Sequence, residues 1–129
     1  MNSVVIGEPV ELYAVLRRGG WRSCERLELA LRRAACVADE QMPDDVRWIR
    51  SYVLDEGRGA AGTVCIYQAI SPEALRRHAM RARLPVDEIV AVTGTLVVRD
   101  DPQTMAGRLS EGITQATQSQ RRNDESDVG

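Results

Sequence analysis

Four short stretches of the chain alternate apolar and polar residues, and this period of two predicts four β-strands. The predicted strands cover residues 10–16, 46–54, 63–69 and 89–98. The pair Gly19-Gly20 predicts an end to the first strand, because two consecutive glycines favour a turn. Several strands carry apolar residues on both faces, so alternation alone does not decide which face lies inward. A sheet that is covered on both sides is consistent with this pattern.

A period close to 3.6 residues predicts a long first helix over residues 24–41. Ser23 supplies an N-cap hydroxyl before its first turn, and Pro43 cannot continue the helix. Cys24 falls on the apolar side and is expected in the core, whereas Cys36 falls on the opposite side. The apolar stripe consists of Leu27, Leu31, Ala34 and Ala38.

The second helix is predicted to begin at Ser71-Pro72 and to run to about residue 83. The serine hydroxyl can cap the helix, and proline fits the first helical position, where its missing N–H is not needed. Pro85 stops the helix. The inward stripe consists of Leu75, His78, Ala79 and Ala82.

The predicted elements follow one another in the order β-α-β-β-α-β, which is the order of the ferredoxin-like fold. In this α+β fold, two helices cover one face of a four-stranded antiparallel sheet. The predicted domain covers residues 10–99. Residues 1–9 are interpreted as an N-terminal arm, and residues 100–129 as a flexible tail because apolar residues become rare there. The sheet face without helices needs cover if it is apolar, and this favours a homodimer.

The composition of the 129-residue chain favours a single domain and argues against several classes of protein. Its 17 basic and 19 acidic residues give a net charge of −2. This balance provides no electrostatic case for binding nucleic acid or an anionic membrane surface. No apolar run approaches the roughly 18 residues of a transmembrane helix, and no secretory signal is visible. We therefore expect a cytoplasmic protein.

The three cysteines are widely spaced and form no C-x-x-C motif, which argues against a disulfide framework and a tetrathiolate zinc site. One of them, Cys65, lies in the third predicted strand, and His78 is the only histidine of the chain. If Cys65 faces the second helix, its thiol and the imidazole can approach each other. Thiolate and imidazole suit nickel, copper or zinc. The other ligands would be waters, a carboxylate such as Glu11 or Asp87, or groups of a second subunit.

Two other interpretations of Cys65 and His78 compete with the metal site. Unpaired cysteine is commonly a buried and inert core residue, and a helix histidine can simply bond a backbone carbonyl. The pair could also be a nucleophile with its base, but no third group is identifiable. We therefore favour a protein that is not an enzyme.

Aromatic residues on neighbouring strands define a second candidate site. If the strand register places them on one face, they would line a ligand pocket between the sheet and the helices. The competing interpretation is ordinary core packing, with the tyrosine hydroxyls bonded to neighbours. The residues of this predicted pocket are Trp48, Tyr52, Tyr67 and His78.

Several motifs in a fixed order resemble a family of small bacterial proteins. They read W-x-x-S-Y-V from Trp48, C-x-Y-x-A from Cys65, a Ser-Pro helix start at Ser71, R-x-H-A from Arg76 and x-P ending at Pro85. The family was first known only as a domain of unknown function and is now often labelled nickel-binding. The resemblance covers about residues 11–98.

The resemblance implies a ferredoxin-like fold, a homodimer in which two sheets meet as in dimeric α/β-barrel proteins, and a divalent transition-metal site. Family members often carry an acidic residue before an arginine near the end of the first strand, where this chain has Leu16 before Arg17. The expected function is therefore a small dimeric nickel-binding protein for storage or sensing, with Cys65 and His78 as ligands. The alternative is a ligand-binding or enzyme-like dimeric α/β-barrel protein that uses the predicted pocket.

Overall fold

The computed structural model describes residues 11–102 of the chain. Within this part the elements are β1 (Glu11–Trp21), α1 (Cys24–Cys36), β2 (Val46–Asp55), β3 (Ala61–Ala69), α2 (Pro72–Ala82) and β4 (Glu88–Val92). The strands pair antiparallel in the order β2-β3-β1-β4. This arrangement confirms the predicted ferredoxin-like fold. The predicted arm, residues 1–9, and the predicted tail beyond residue 102 lie outside the described residues.

Both helices begin at a serine cap, as the sequence predicts. Ser23 Oγ accepts a hydrogen bond of 3.2 Å from the Arg26 amide, and Ser71 Oγ accepts one of 3.1 Å from the Ala74 amide. The two predicted apolar stripes are buried against the sheet. No helix among the described residues has the length and hydropathy to cross a membrane.

The first helix changes its winding but ends where the sequence predicts. After Cys36 it widens into a π-helical turn, Val37–Gln41, before Pro43. The expectation that Cys24 is a core residue is wrong, because its side chain is exposed. Cys24 is the first residue of α1, and burial along this helix starts only at Leu27.

The register of β1 against β3 decides which face of the sheet meets the helices. Alternate residues of the two strands are buried on the helix side, and they pair as Tyr13 with Tyr67, Val15 with Cys65, and Arg17 with Thr63. The other face, here called the open face, carries no helix among the described residues. It is largely apolar and half-buried or exposed, with Leu12, Leu16, Val64, Ile66, Val90 and Val92.

Strand β1 does not end at the glycine pair, so that prediction is wrong. The strand continues to Trp21 through an irregularity in which β1 uses more residues than β3 between the pairs at Arg17 and Trp21. Gly19 takes a left-handed φ of 55° inside this bulge, and its amide donates to Glu56 Oε1 at 3.0 Å. The glycine therefore supplies a bulge rather than a turn, and the extended strand carries Arg17 into the protein.

Two further predictions about the strands are corrected by the pairing. Simple alternation predicts that Trp48, Arg50 and Tyr52 share one face of β2, but a bulge between Trp48 and Arg50 places Arg50 and Tyr52 on the opposite face. Strand β4 ends at Val92 instead of residue 98. Val92 pairs with Leu12, close to the start of β1, so the following residues have no partner strand among those described.

Gly62 occupies a position where any side chain would disturb the bulge of β1. A Cβ atom there would lie 2.5 Å from the Arg17 carbonyl oxygen and 2.5 Å from Glu56 Oε1. We expect Gly62→Ala to lower the free energy of unfolding by roughly 2 kcal/mol, as overpacking does in buried sites. Urea unfolding measures this. Gly94→Ala is the matched control, because a Cβ atom at Gly94 meets nothing within 4 Å. Equal stabilities of the two variants would contradict the prediction.

Candidate functional site

Polar and sulfur-bearing side chains lie together between the sheet and α2. Strand β1 contributes one of them, β3 contributes three and α2 contributes one. Each is at most 1% exposed. Buried polar groups are uncommon and normally have a partner, so their concentration at one place marks a candidate site. This buried polar cluster consists of Arg17, Thr63, Cys65, Tyr67 and His78.

Arg17 is the charged member of the cluster. Its Nε donates a hydrogen bond of 2.7 Å to the carbonyl oxygen of Pro85, and its Nη1 donates one of 3.2 Å to Cys65 Sγ. Within residues 11–102, no carboxylate forms an ion pair with this guanidinium. Burying an arginine without a carboxylate is costly, since the ion loses its hydration.

The hydrogen bond of His78 fixes the tautomer of its imidazole. His78 Nε2 lies 2.9 Å from the carbonyl oxygen of Ala34, in the last turn of α1. A carbonyl can only accept, so Nε2 carries the proton and Nδ1 keeps a lone pair. Nδ1 is buried and has no partner among the described residues. Burial and the positive charge of Arg17 lower the pKa of His78, so the neutral ring is favoured.

Tyr67 and Thr63 bring two buried hydroxyls into the cluster. The Tyr67 ring meets the His78 ring edge to face, with 5.4 Å between ring centroids. Neither the Tyr67 hydroxyl nor the Thr63 hydroxyl has a hydrogen-bond partner in the described part of the chain. Burial and the nearby Cys65 raise the pKa of Tyr67, and Arg17 opposes this in part, so the hydroxyl stays protonated and can donate.

The predicted aromatic pocket is only partly assembled. Tyr67 and His78 are in contact, and Trp48 lies opposite Tyr67 on the same side of the sheet, where its Nε1 donates to Ser51 Oγ at 2.7 Å. Tyr52 lies on the open face, because the bulge after Trp48 reverses the alternation. A pocket between the sheet and the helices stays a prediction for the other three residues.

Comparison with known proteins now assigns the chain to a family. Residues 13–92, more than half of the chain, match the SCO4226-like family, described as nickel responsive proteins. The chain belongs to the SCO4226-like family. It is also similar to the crystal structure of SCO4226 from Streptomyces coelicolor A3(2), with 22% identity and a TM-score of 0.54 over 66% of this chain and 99% of that one. No curated protein matches the chain.

The family description raises the question whether the buried polar cluster suits nickel. The donor types suit it, because His78 Nδ1 offers an unshared lone pair and Cys65 offers a sulfur. The number of donors is small. Within residues 11–102, no three side chains of histidine, cysteine, aspartate or glutamate come together. The suggested carboxylates are elsewhere: Glu11 accepts from Tyr13, and Asp87 accepts from the Arg18 amide.

Sequence reasoning for this SCO4226-like chain missed Arg17 and Thr63. The signal for Arg17 was available, because Tyr13, Val15 and Arg17 have the same parity and so share one face of β1. A strand that ends before the glycine pair, as the sequence predicts, leaves Arg17 outside the strand and hides this signal. Thr63 is the cross-strand partner of Arg17, so its role depends on the same register.

The neutral, buried His78 predicts a pH dependence of stability. Its pKa is lowered in the native state, so the unfolded chain binds a proton at higher pH than the native chain. The stabilisation is complete above the ordinary histidine pKa of about 6.5 and is lost as the pH falls below it. We expect the free energy of unfolding to decrease more steeply with falling pH for the wild type than for His78→Gln. Urea unfolding on both sides of this pKa tests it, and parallel profiles would refute it.

Proposed function

We propose that this protein is a small homodimeric metal-binding protein that responds to nickel and holds the ion reversibly through Cys65 and His78. Membership of a family described as nickel responsive supports the choice of ion. The observation that carries the proposed site is the buried His78 Nδ1, a lone pair without a partner among the described residues. Reversible binding suits storage or sensing.

The chain's own residues prepare this pair for a metal ion. The bond from His78 Nε2 to the Ala34 carbonyl holds the ring in the tautomer whose Nδ1 can bind a cation. The lowered pKa of His78 reduces competition from protons. The Arg17 Nη1–H donates to Cys65 Sγ and so holds the sulfur in place. Bound nickel would supply a positive centre that joins sulfur and nitrogen.

Two ligands do not complete a nickel site, so the remaining ligands come from elsewhere. Water molecules and groups of the second subunit are the sources that we propose. A site that is completed in this way binds its ion less tightly than a closed protein cage, because fewer preorganised donors hold it. Weak, reversible binding distinguishes a sensor or buffer from an enzyme with a resident metal.

The proposed dimer follows from the open face. The open face is largely apolar, and monomeric soluble proteins seldom leave such a sheet face uncovered. The chain after β4 adds further exposed aliphatic side chains, with Leu96 89%, Val97 64% and Val98 76% exposed. A second copy of this chain with its open face turned inward would cover both surfaces, as in dimeric α/β-barrel proteins.

The cysteines support a cytoplasmic location. No disulfide bond joins any of the three cysteines, Cys24, Cys36 and Cys65. Burial, with the nearby Glu40 and Asp39 carboxylates, raises the pKa of Cys36, which disfavours its reactive thiolate. Unpaired thiols persist in a reducing compartment, and this is the compartment that we propose.

The proposed nickel site predicts that two conservative changes each weaken nickel binding. We expect tag-free wild-type protein to bind nickel in a calorimetric titration, and we expect Cys65→Ser and His78→Gln each to weaken binding at least about tenfold, since each removes one protein ligand. A thiolate-to-nickel absorption band should disappear in Cys65→Ser.

The control for this titration is Cys24→Ser, which removes an exposed thiol outside the buried polar cluster. Nickel affinity should be unchanged in this variant. The proposal fails if the wild type does not bind nickel, or if Cys65→Ser and His78→Gln bind as tightly as the control. Circular dichroism of each variant separates a lost ligand from a lost fold.

The proposed dimer predicts that one charge on the open face dissociates it. Ile66→Glu would bury a carboxylate between two apolar sheets, and we expect the dimer dissociation constant to rise at least about thirtyfold, which corresponds to roughly 2 kcal/mol. Sedimentation velocity over a concentration series measures this. Leu29→Glu makes a similar change at a side chain of α1 that is 63% exposed, and it should leave the dimer intact. A wild-type monomer at all concentrations would contradict the proposal.

A further inference from the structure

The guanidinium of Arg17 has more hydrogen-bonding capacity and more charge than its surroundings use. Arg17 is 1% exposed, and two of its five N–H donors bond Pro85 O and Cys65 Sγ in the described part of the chain. The Tyr67 hydroxyl is near enough to interact with the same guanidinium. Neither hydrogen-bond partner is a carboxylate. A buried cation without a counter-charge destabilises a protein, so its presence here calls for a physical reason.

Three more atoms of the same cluster are buried without a partner. They are the hydroxyl oxygens of Thr63 and Tyr67 and the Nδ1 atom of His78. Each such atom destabilises the fold relative to a hydrogen-bonded one. Arg17 connects these groups, because it pairs with Thr63 across the sheet and interacts electrostatically with Tyr67 and His78, which contact each other. A cluster of unpaired polar atoms around an unpaired charge is typical of a binding site, and a core selected only for stability would lack it.

The chemistry of these groups identifies the class of ligand. Arg17, Thr63 and Tyr67 present N–H and O–H donors, and donors around a positive charge bind an anion. His78 Nδ1 presents a lone pair, which accepts a hydrogen bond from an O–H group of the ligand. We propose that the buried polar cluster binds a small oxyanion that also carries an O–H group, such as hydrogencarbonate or hydrogenphosphate, with Arg17 as its counter-charge. The proposal requires no metal and does not depend on the nickel response.

Two simpler occupants account for only part of the observations. Buried water can satisfy the hydroxyls and Nδ1, but it leaves the charge of Arg17 uncompensated. A Cys65 thiolate can neutralise Arg17 and accept from the Tyr67 hydroxyl, but it leaves Thr63 and His78 unpaired. A small oxyanion accounts for the charge and for all three unpaired atoms. Complete burial restricts the ligand to a few atoms, because no side chain of the cluster is more than 1% exposed.

The full chain is first treated with a chelator to remove bound metal. The result is then independent of whether the protein binds nickel. Sodium hydrogencarbonate, sodium phosphate and sodium formate are titrated at constant ionic strength against sodium chloride. Thermal unfolding and calorimetry measure the effect. We expect at least one oxyanion to raise the unfolding midpoint in a saturable way that chloride does not reproduce. The ranking separates hydrogencarbonate from phosphate, and formate serves as the anion without an O–H group.

Conservative variants distinguish a binding role from a structural role. Thr63→Val and Tyr67→Phe each remove one donor to the anion, so we expect at least about tenfold weaker oxyanion binding. In chloride buffer both variants should be as stable as the wild type or more stable, because the hydroxyls that they remove are unpaired. A purely structural role would lower their stability instead. Tyr52→Phe is the matched control, because it makes the same chemical change on the open face and should not change oxyanion affinity.

Arg17→Lys tests the role of Arg17 as counter-charge. Lysine keeps the positive charge but lacks the planar set of N–H donors, so we expect oxyanion binding to weaken without disappearing. If Arg17→Lys does not fold, Thr63→Val and Tyr67→Phe still decide the question. Three results would overturn the proposal: no saturable stabilisation by any of the oxyanions, equal affinity in all variants, or an ultraviolet thiolate signal of Cys65 at neutral pH that oxyanions do not change. The last would make Cys65 the counter-ion of Arg17.

Discussion

The guanidinium of Arg17 joins the end of β1 to the connection between α2 and β4 by a hydrogen bond of 2.7 Å to the Pro85 carbonyl. The same group reaches Cys65 on β3, so one side chain links three parts of the fold. Arg17 can do this only because β1 continues through a bulge after it. That bulge is held by Glu56, which binds the Arg18 side chain and the Gly19 amide. The bulge of β1 and its contacts with Glu56 are therefore arranged so that the charge of Arg17 is buried.

A second connection, between the helices, depends on His78. Its bond to the Ala34 carbonyl joins α2 to the last turn of α1, where backbone carbonyls begin to lack α-helical partners. Arg33 adds a parallel link of 2.6 Å to the Ala82 carbonyl, at the end of α2. The imidazole is therefore held in place by the same contact that fixes its tautomer. Residues that hold a fold together can also present atoms for binding, and His78 combines both roles.

Much of the fold could be predicted from the sequence, because each element carries a strong local signal. The serine caps and the apolar stripes define both helices, and alternation defines the strands. What failed were features that depend on neighbouring strands. The bulge after Trp48 reverses the face of Tyr52, and the end of β4 is set by where β1 begins. The inward direction of His78 was predictable from its helical stripe, whereas the burial of Arg17 required a register that no local pattern specifies.

The charges of the buried polar cluster connect the two proposed ligands. A divalent cation near Cys65 would lie beside the Arg17 guanidinium, and two like charges in a poorly hydrated interior repel each other strongly. A thiolate at Cys65 offsets only one of those charges. An oxyanion beside Arg17 would offset more of the positive charge, but its O–H group would occupy the His78 Nδ1 lone pair that nickel requires. Because coupling between two bound ligands is reciprocal, nickel at Nδ1 would weaken oxyanion binding by the same factor as the oxyanion weakens nickel binding. The lone pair of His78 therefore decides which of the two ligands the cluster holds.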